Sequence, residues 1–170
     1  MSDFIFTTER LTIRHLTLED LDAFYILQSN PAVMQYIKPA LNYEQAKAEL
    51  TKFIGYYSDP EKFYYIWAVT NPDTNQFVGV CGVYQNQQSH YEIAYRLTES
   101  AWGYGYGSEI AISLIKHSLQ EIKLPRIIAY VHTENIPSVK ILEKYMTFVE
   151  ESVHQLTGKM GRKYEVLRFK

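Results

Sequence analysis

The spacing of apolar positions along this 170-residue chain changes several times, and each change marks an element. From Glu9 to His15, apolar Leu11 and Ile13 alternate with Thr12 and Arg14, the two-residue period of a half-buried strand. Thr17 then precedes Leu18-Glu19-Asp20, with Leu21, Phe24, Tyr25 and Leu27 at helical spacing. Thr17 and Asp20 together have the form of a capping box, with Asp in place of Glu. Asn30-Pro31 punctuates, and Asn42 opens a second helical pattern through Ala46, Leu50, Phe53 and Ile54 that ends near Ser58-Asp59-Pro60. Three strand patterns follow, Phe63–Thr70, Phe77–Tyr84 and His90–Leu97, separated by the turns Asn71–Asn75 and Gln85–Ser89. Such a series predicts an antiparallel meander.

Beyond it, Ile110, Ile112, Leu114, Ile115 and Leu119 mark a helix ending near Lys123, and Arg126–His132 is a short apolar strand after Pro125. Asn135–Tyr145 reads as a helix with Pro137 tolerated in its first turn. Phe148–Leu156 and Lys163–Phe169 close the chain as a hairpin around Thr157-Gly158. The order β-α-α-β-β-β-α-β-α-β-β predicts an α+β fold, a mixed, mostly antiparallel sheet of about seven strands with about four helices. No linker divides the chain, so residues 1–170 are expected to form one domain.

The segment between the meander and the next helix, Trp102-Gly103-Tyr104-Gly105-Tyr106-Gly107-Ser108-Glu109, carries the sharpest chemical signal. Three alternate glycines let the backbone turn sharply and approach a bulky group closely. The helix that follows offers unpaired N–H groups and the positive end of its dipole. Phosphate oxygens suit such a place. A dinucleotide fingerprint is excluded because Ser108 stands where the third glycine would be and the preceding strands form a meander. A Walker A loop is excluded by the lack of Gly-Lys-Ser/Thr.

Composition narrows the classes further. Apolar residues make up 46% and charged residues 21%, with a net charge of −2, which speaks against binding to a nucleic-acid backbone. No apolar run approaches the length that spans a bilayer, and the first residues lack a basic region followed by an apolar core. Cytoplasmic localisation is expected. The single cysteine, Cys81, lies in an apolar run and reads as a buried strand thiol. The five histidines show no ligand spacing with it, so no metal is expected.

Four segments in register resemble the GNAT superfamily of acetyl-CoA-dependent N-acetyltransferases: Thr8-Glu-Arg-Leu-Thr-Ile-Arg14, Tyr91-Glu-Ile-Ala-Tyr-Arg-Leu97, the glycine loop, and Asn135-Ile-Pro-Ser-Val-Lys-Ile-Leu-Glu-Lys144. More narrowly, the chain resembles the branch that acetylates N-terminal amines of ribosomal proteins. The resemblance implies a sheet that splays after Tyr91–Leu97, with Tyr95, Arg96 and Leu97 offering peptide groups to the pantetheine arm. It also implies that Trp102, Gly103, Tyr104, Gly105, Tyr106, Gly107 and Ser108 hold the pyrophosphate, and that Asn135 bonds the pantetheine. Trp102 stands where the family pattern has Gln or Arg.

For the chemistry, Glu92 is the expected carboxylate that deprotonates the amine. A backbone N–H near Ile93–Tyr95 would stabilise the oxyanion. Many relatives place a tyrosine acid seven residues after the helix-opening asparagine. Here that position is Leu142, so Ser138 is the expected substitute at the sulfur and on the cofactor, with Tyr145 a further candidate. The helix end reads Glu143-Lys-Tyr-Met-Thr-Phe148, without the usual glycine, which should reshape that corner. The first two helices and the final hairpin are expected to frame an aromatic acceptor cleft from Tyr25, Met34, Tyr36, Tyr43, Tyr56, Tyr57 and Tyr164. The acceptor implied is a peptide N-terminus or a small primary amine, and relatives are often homodimers. The rival reading is a sensor or partner module that binds CoA or another small ligand without turnover.

Overall fold

Each periodic segment becomes an element, and two further elements join them. In the computed structural model, which describes residues 4–155 and 157–169, the first strand signal becomes β2 (Thr12–His15), and a strand the sequence did not mark, β1 (Phe4–Thr7), precedes it. Helices α1 (Leu21–Ser29), α2 (Pro31–Met34) and α3 (Tyr43–Tyr56) follow. The short α2 lies in the stretch read as punctuation: the Asn30 side chain accepts from the Ala32 N–H, and Pro31 supplies a first-turn residue that needs no donor. Asn42 and Gln45 form a reciprocal capping box at α3, both bonds 2.9 Å. At the start of α1, the Thr17 N–H donates to the Asp20 carboxylate, which also receives both Nη groups of Arg14.

The meander forms as predicted, with β3 (Tyr64–Thr70), β4 (Phe77–Gln85) and β5 (Tyr91–Leu97) antiparallel in sequence. Helix α4 (Tyr106–Lys116) runs on into a π-helical turn, His117–Glu121. Strand β6 (Arg126–His132) and helix α5 (Ile136–Tyr145) come next, then the hairpin β7 (Thr147–Val153) and β8 (Met160–Leu167). The hairpin closes around Thr157-Gly158 with Gly158 at φ 66°, and Leu156 lies outside the described residues. Strand β8 starts three residues before the predicted Lys163, because Met160 and Gly161 already pair with Val153 and Ser152.

All eight strands make one sheet in the order β1-β2-β3-β4-β5-β6-β8-β7. Every neighbour pair is antiparallel except β5 and β6, whose parallel pairing has the single register pair Glu92–Ile128. Past Glu92 the two strands diverge, leaving one edge of Ile93–Leu97 unpaired. The sheet carries a core on each face. One packs Ile110 and Leu114 of α4 and Leu142 of α5 against Ile93 and Ile127, and the other packs Phe24, Leu27 and Leu50 of α1 and α3 against Ile66 and Val80. Cys81 is buried in the first, and burial pushes its thiol up, away from thiolate chemistry.

Candidate active site

Divergence of β5 from β6 opens two connected clefts. The larger, about 620 Å³, runs along Tyr95–Leu97 to Trp102, Gly103, Gly105, Tyr106, Gly107 and Ser108. The smaller, about 240 Å³, holds Tyr84, Glu92, His132 and His154. Tyr36, Ile37, Tyr95, Arg96, Asn135 and Ser138 line both. The fold therefore brings Glu92 and Arg96 of β5 together with Asn135 and Ser138 at the start of α5, two distant sequence segments, at one junction.

The glycine loop has the geometry of an anion cradle. Gly103 and Gly105 adopt φ of 83° and 80°, a left-handed backbone that side chains rarely tolerate. A Cβ on Gly103 would point into open space, and one on Gly105 would meet only the Arg10 guanidinium at 3.5 Å. Gly105 is the N-cap of α4 and carries no side chain to occupy the first N–H groups, which open toward the larger cleft. Gly107 has a different role: a Cβ there would crowd the Ile141 side chain at 3.1 Å, so this glycine lets α4 approach α5. Trp102, 46% exposed, donates its Nε1–H to the Leu97 carbonyl at 3.1 Å and ties the loop to the end of β5. Tyr104 lies outside both clefts and stacks on Tyr106 at 5.7 Å.

Behind the loop, Glu109 accepts from the Arg10 N–H and the Arg10 Nε, both at 2.7 Å, and from the Thr8 hydroxyl. Burial would raise its pKa, but these bonds outweigh that and hold it below the usual carboxylate range. The Arg10 guanidinium lies over the Tyr106 ring, 4.7 Å from its centre. The first motif thus fastens the loop from outside the cleft.

Asn135 starts α5 but makes no side-chain cap, so its amide is available to the cleft. Ser138 lies one turn further on. Its neighbour across the junction is the Tyr95 phenol, whose oxygen is buried without a hydrogen-bond partner. Burial pushes this phenol up to about 12, with Ser138 acting the other way. The Tyr95 side chain was not singled out in the sequence, where only its peptide group drew attention. Strand alternation is the one signal that could have found it.

Glu92 is largely enclosed, and burial raises its carboxyl above the ordinary range. The Asn86 amide at 3.2 Å and the Tyr84 phenol act in the opposite sense. His154 of the final hairpin also bears on it. Tyr84 and Asn86 went unmarked in the sequence, because their place beside Glu92 depends on the β4–β5 register.

The profile described as "Acetyltransferase (GNAT) domain" matches residues 10–145. The chain belongs to the GNAT acetyltransferase family. It is 30% identical over 168 residues to an uncharacterized N-acetyltransferase, p20, of Bacillus licheniformis, covering 95% of this chain and 92% of that one. It is similar to the crystal structure of a GNAT-family acetyltransferase from Bacillus anthracis, with TM-score 0.82, 28% identity, and 97% and 98% of the two chains covered. The ribosomal L7/L12 α-N-protein acetyltransferase RimL, solved in complex with coenzyme A, shares the fold at TM-score 0.79 and 17% identity, with 96% and 97% covered. GNAT enzymes generally transfer acetyl from acetyl-CoA to amines.

Two features in which this chain differs from the pattern it resembles take their expected form. Leu142 is buried at the position where a tyrosine acid is common, so no hydroxyl is available there. The helix corner closes without glycine: Met146 is extended, buried in the core, and leads straight into β7. Tyr145 packs against the core and lines neither cleft.

The aromatic acceptor cleft needs correction. Among the named aromatics only Tyr36 lines it, tilted by 33° against the His132 ring with centres 5.1 Å apart. Tyr164 and Met34 are buried in the cores, and the Tyr57 hydroxyl bridges the Leu16 N–H and the Ile66 carbonyl. Tyr25 packs on Tyr43, whose hydroxyl bonds Asp22, and Tyr56 packs on Tyr64. Tyrosine here mostly spends its amphipathic surface on packing. Among the described residues no helix is long and apolar enough to cross a membrane, and no group of three or more His, Cys, Asp and Glu is placed to hold a metal ion.

Proposed function

We propose that this chain transfers the acetyl group of acetyl-CoA to a primary amine, either a peptide N-terminal α-amine as in the ribosomal-protein branch or a small amine. The observation that carries this reading is the meeting of the two clefts at Arg96, Asn135 and Ser138 beside Glu92. The open left-handed glycine loop and the unused N–H groups of α4 support placing the pyrophosphate there. The free edge of Tyr95–Leu97 supports an added-strand pairing with pantetheine, and the uncapped Asn135 amide lies beside its path.

In this reading Glu92 accepts a proton from the ammonium form of the acceptor. The freed lone pair attacks the thioester carbonyl carbon, with a β5 peptide N–H stabilising the oxyanion. Collapse breaks the C–S bond; the departing thiolate takes a proton supplied at Ser138, and the acylated nitrogen sheds its remaining extra proton to restore the Ser138 hydroxyl. The products are an N-acetyl amide and the free thiol of CoA. Tyr95, held protonated beside Ser138, supports this route where Leu142 offers nothing.

The test is to incubate the protein with acetyl-CoA and a panel of primary amines and follow thiol release. Release with N-terminal or small amines is the expected outcome. Tight CoA binding with no release from any amine would favour the sensor reading instead, and transfer confined to lysine side chains would overturn the acceptor class.

A further inference from the structure

Along β5, Ile93, Tyr95 and Leu97 face the core under α4, while Glu92, Ala94 and Arg96 alternate onto the face covered by α1 and α3. On that second face a charge is left unbalanced. The Arg96 Nη1 donates to the Gln28 Oε1, the Gln28 Nε2 donates to the Glu49 Oε2 at 2.6 Å, and Glu49 pairs directly with Lys38. Gln28 is 1% exposed and serves as a neutral relay. Two cations therefore share one carboxylate, and Lys38 is the one that touches it.

Among the described residues Arg96 makes no ion pair and no hydrogen bond besides the one to Gln28. Its Nε is buried with no partner at all. Glu92 does not neutralise it: four residues along a strand is roughly 13 Å of backbone, and Glu92 is engaged by Asn86 and Tyr84. A guanidinium keeps its proton and offers five donors, so an enclosed one with a single neutral partner is costly. The loop that suits phosphates lies beyond the end of the strand, beside α4. Arg96 also lines the smaller cleft beside Glu92, so an anion carried by the acceptor can reach it there.

We infer that Arg96 anchors a carboxylate carried by the acceptor, so that the acceptors are small primary amines with a carboxylate close to the amine, of which free amino acids are the type. This narrows the acetyl-transfer reading above and rests on it. The order of residues on the strand face fits such a molecule. Glu92 is the proton acceptor, Ala94 lies beside the peptide groups assigned to the oxyanion, and Arg96 follows two residues on. That step is roughly 7 Å, close to the end-to-end span of an extended γ-amino acid, while the nearer carboxylate of an α- or β-amino acid is met by the arginine side chain reaching back along the strand. The acceptor cleft of about 240 Å³ lies below the usual range for drug-sized ligands and suits an amino acid better than a longer peptide. Polyamines would bring further cations against Arg96 and Lys38.

The decisive experiment compares acids with their amides: glycine with glycinamide, β-alanine with β-alaninamide, 4-aminobutyrate with 4-aminobutyramide. Each amide has the less basic amine, so chemistry alone favours the amide. For at least one pair, kcat/KM should favour the acid by roughly tenfold or more, chiefly through KM. Arg96→Met should bring that ratio close to one, and Arg96→Lys should keep part of it. Because the ratio is internal to each variant, lost cofactor affinity lowers both rates and leaves it unmoved. Wild-type ratios of one or less in all three pairs, or a ratio unchanged in Arg96→Met, would overturn the anchor. If no amine is acetylated, the transferase reading fails, and calorimetry on the CoA-loaded protein decides the anchor separately. Acid-selective binding that is lost in Arg96→Met keeps it; equal or absent binding of acid and amide overturns it.

Discussion

Tyr84 and Glu92 stand opposite each other in the β4–β5 register, and the Tyr84 phenol steadies the charged form of a carboxyl whose proton affinity burial raises. The phenol is itself pushed up, first by burial and then by Glu92, so it remains a donor across the working pH range. The pair makes Glu92 a carboxylate with a raised proton affinity at the acceptor cleft, which is what a base acting near neutrality requires.

Activity should therefore fall on the acid side at a pH above the ordinary glutamate value of about 4.3, because the raised carboxyl must ionise before it can accept a proton. Glu92→Gln should remove that limb and lower kcat by about 10²–10⁴-fold. A mutant retaining the same limb would take Glu92 out of the chemistry. Stability carries the opposite sign: a folded-state pKa above the unfolded one means that stability is lost as pH rises through it. Glu92→Gln should thus melt no lower than wild type at pH 7, and higher if the carboxylate is strained, in a thermal scan across pH 4–8.

Ser138→Ala should lower kcat by roughly 10²-fold while the Kd for acetyl-CoA stays near normal. Single-turnover transfer and calorimetry separate the two quantities. Unchanged turnover would pass the thiolate's proton to the neighbouring Tyr95, for which Tyr95→Phe is the matching variant.

Gly105→Val should raise the Kd for acetyl-CoA by more than tenfold. A β-branched residue disfavours the left-handed backbone at φ 80° and would crowd Arg10, so the loop and the first free N–H groups of α4 would be displaced. The strain of that conformation, about 1–3 kcal/mol, should also lower Tm. Calorimetry of the surviving folded fraction distinguishes lost affinity from lost fold, and normal affinity would remove the loop from the cofactor site.

Glu109→Gln should cost about 1 kcal/mol, a modest figure because the Arg10 side chain is 45% exposed. The carboxyl's depressed pKa means that its contribution is present at neutral pH and lost only as pH falls through the depressed value. Denaturant midpoints for wild type and mutant should therefore converge toward acid. A constant gap down to pH 3 would assign the effect to packing.

Local chemistry made much of this protein legible before its shape was known. Two-residue and helical periods marked seven of the eight strands and the four longer helices, because alternation and the 3.6-residue repeat follow directly from which face is buried. The glycine loop was readable for the same reason: left-handed backbone at Gly103 and Gly105 is a local demand that glycine meets. The short Phe4–Thr7 strand was not, since it exists by pairing with Thr12–Arg14 rather than by its own pattern. Nor could tyrosines that pack be told from tyrosines that line a cleft, because a phenol serves both. Register and crossover decided the site. Only the folded sheet sets Tyr84 opposite Glu92, brings Ser138 to Tyr95, and leaves Arg96 with a neutral glutamine where a counter-charge would be expected. Those are relations between distant segments, and pairing across space, not order along the chain, creates them.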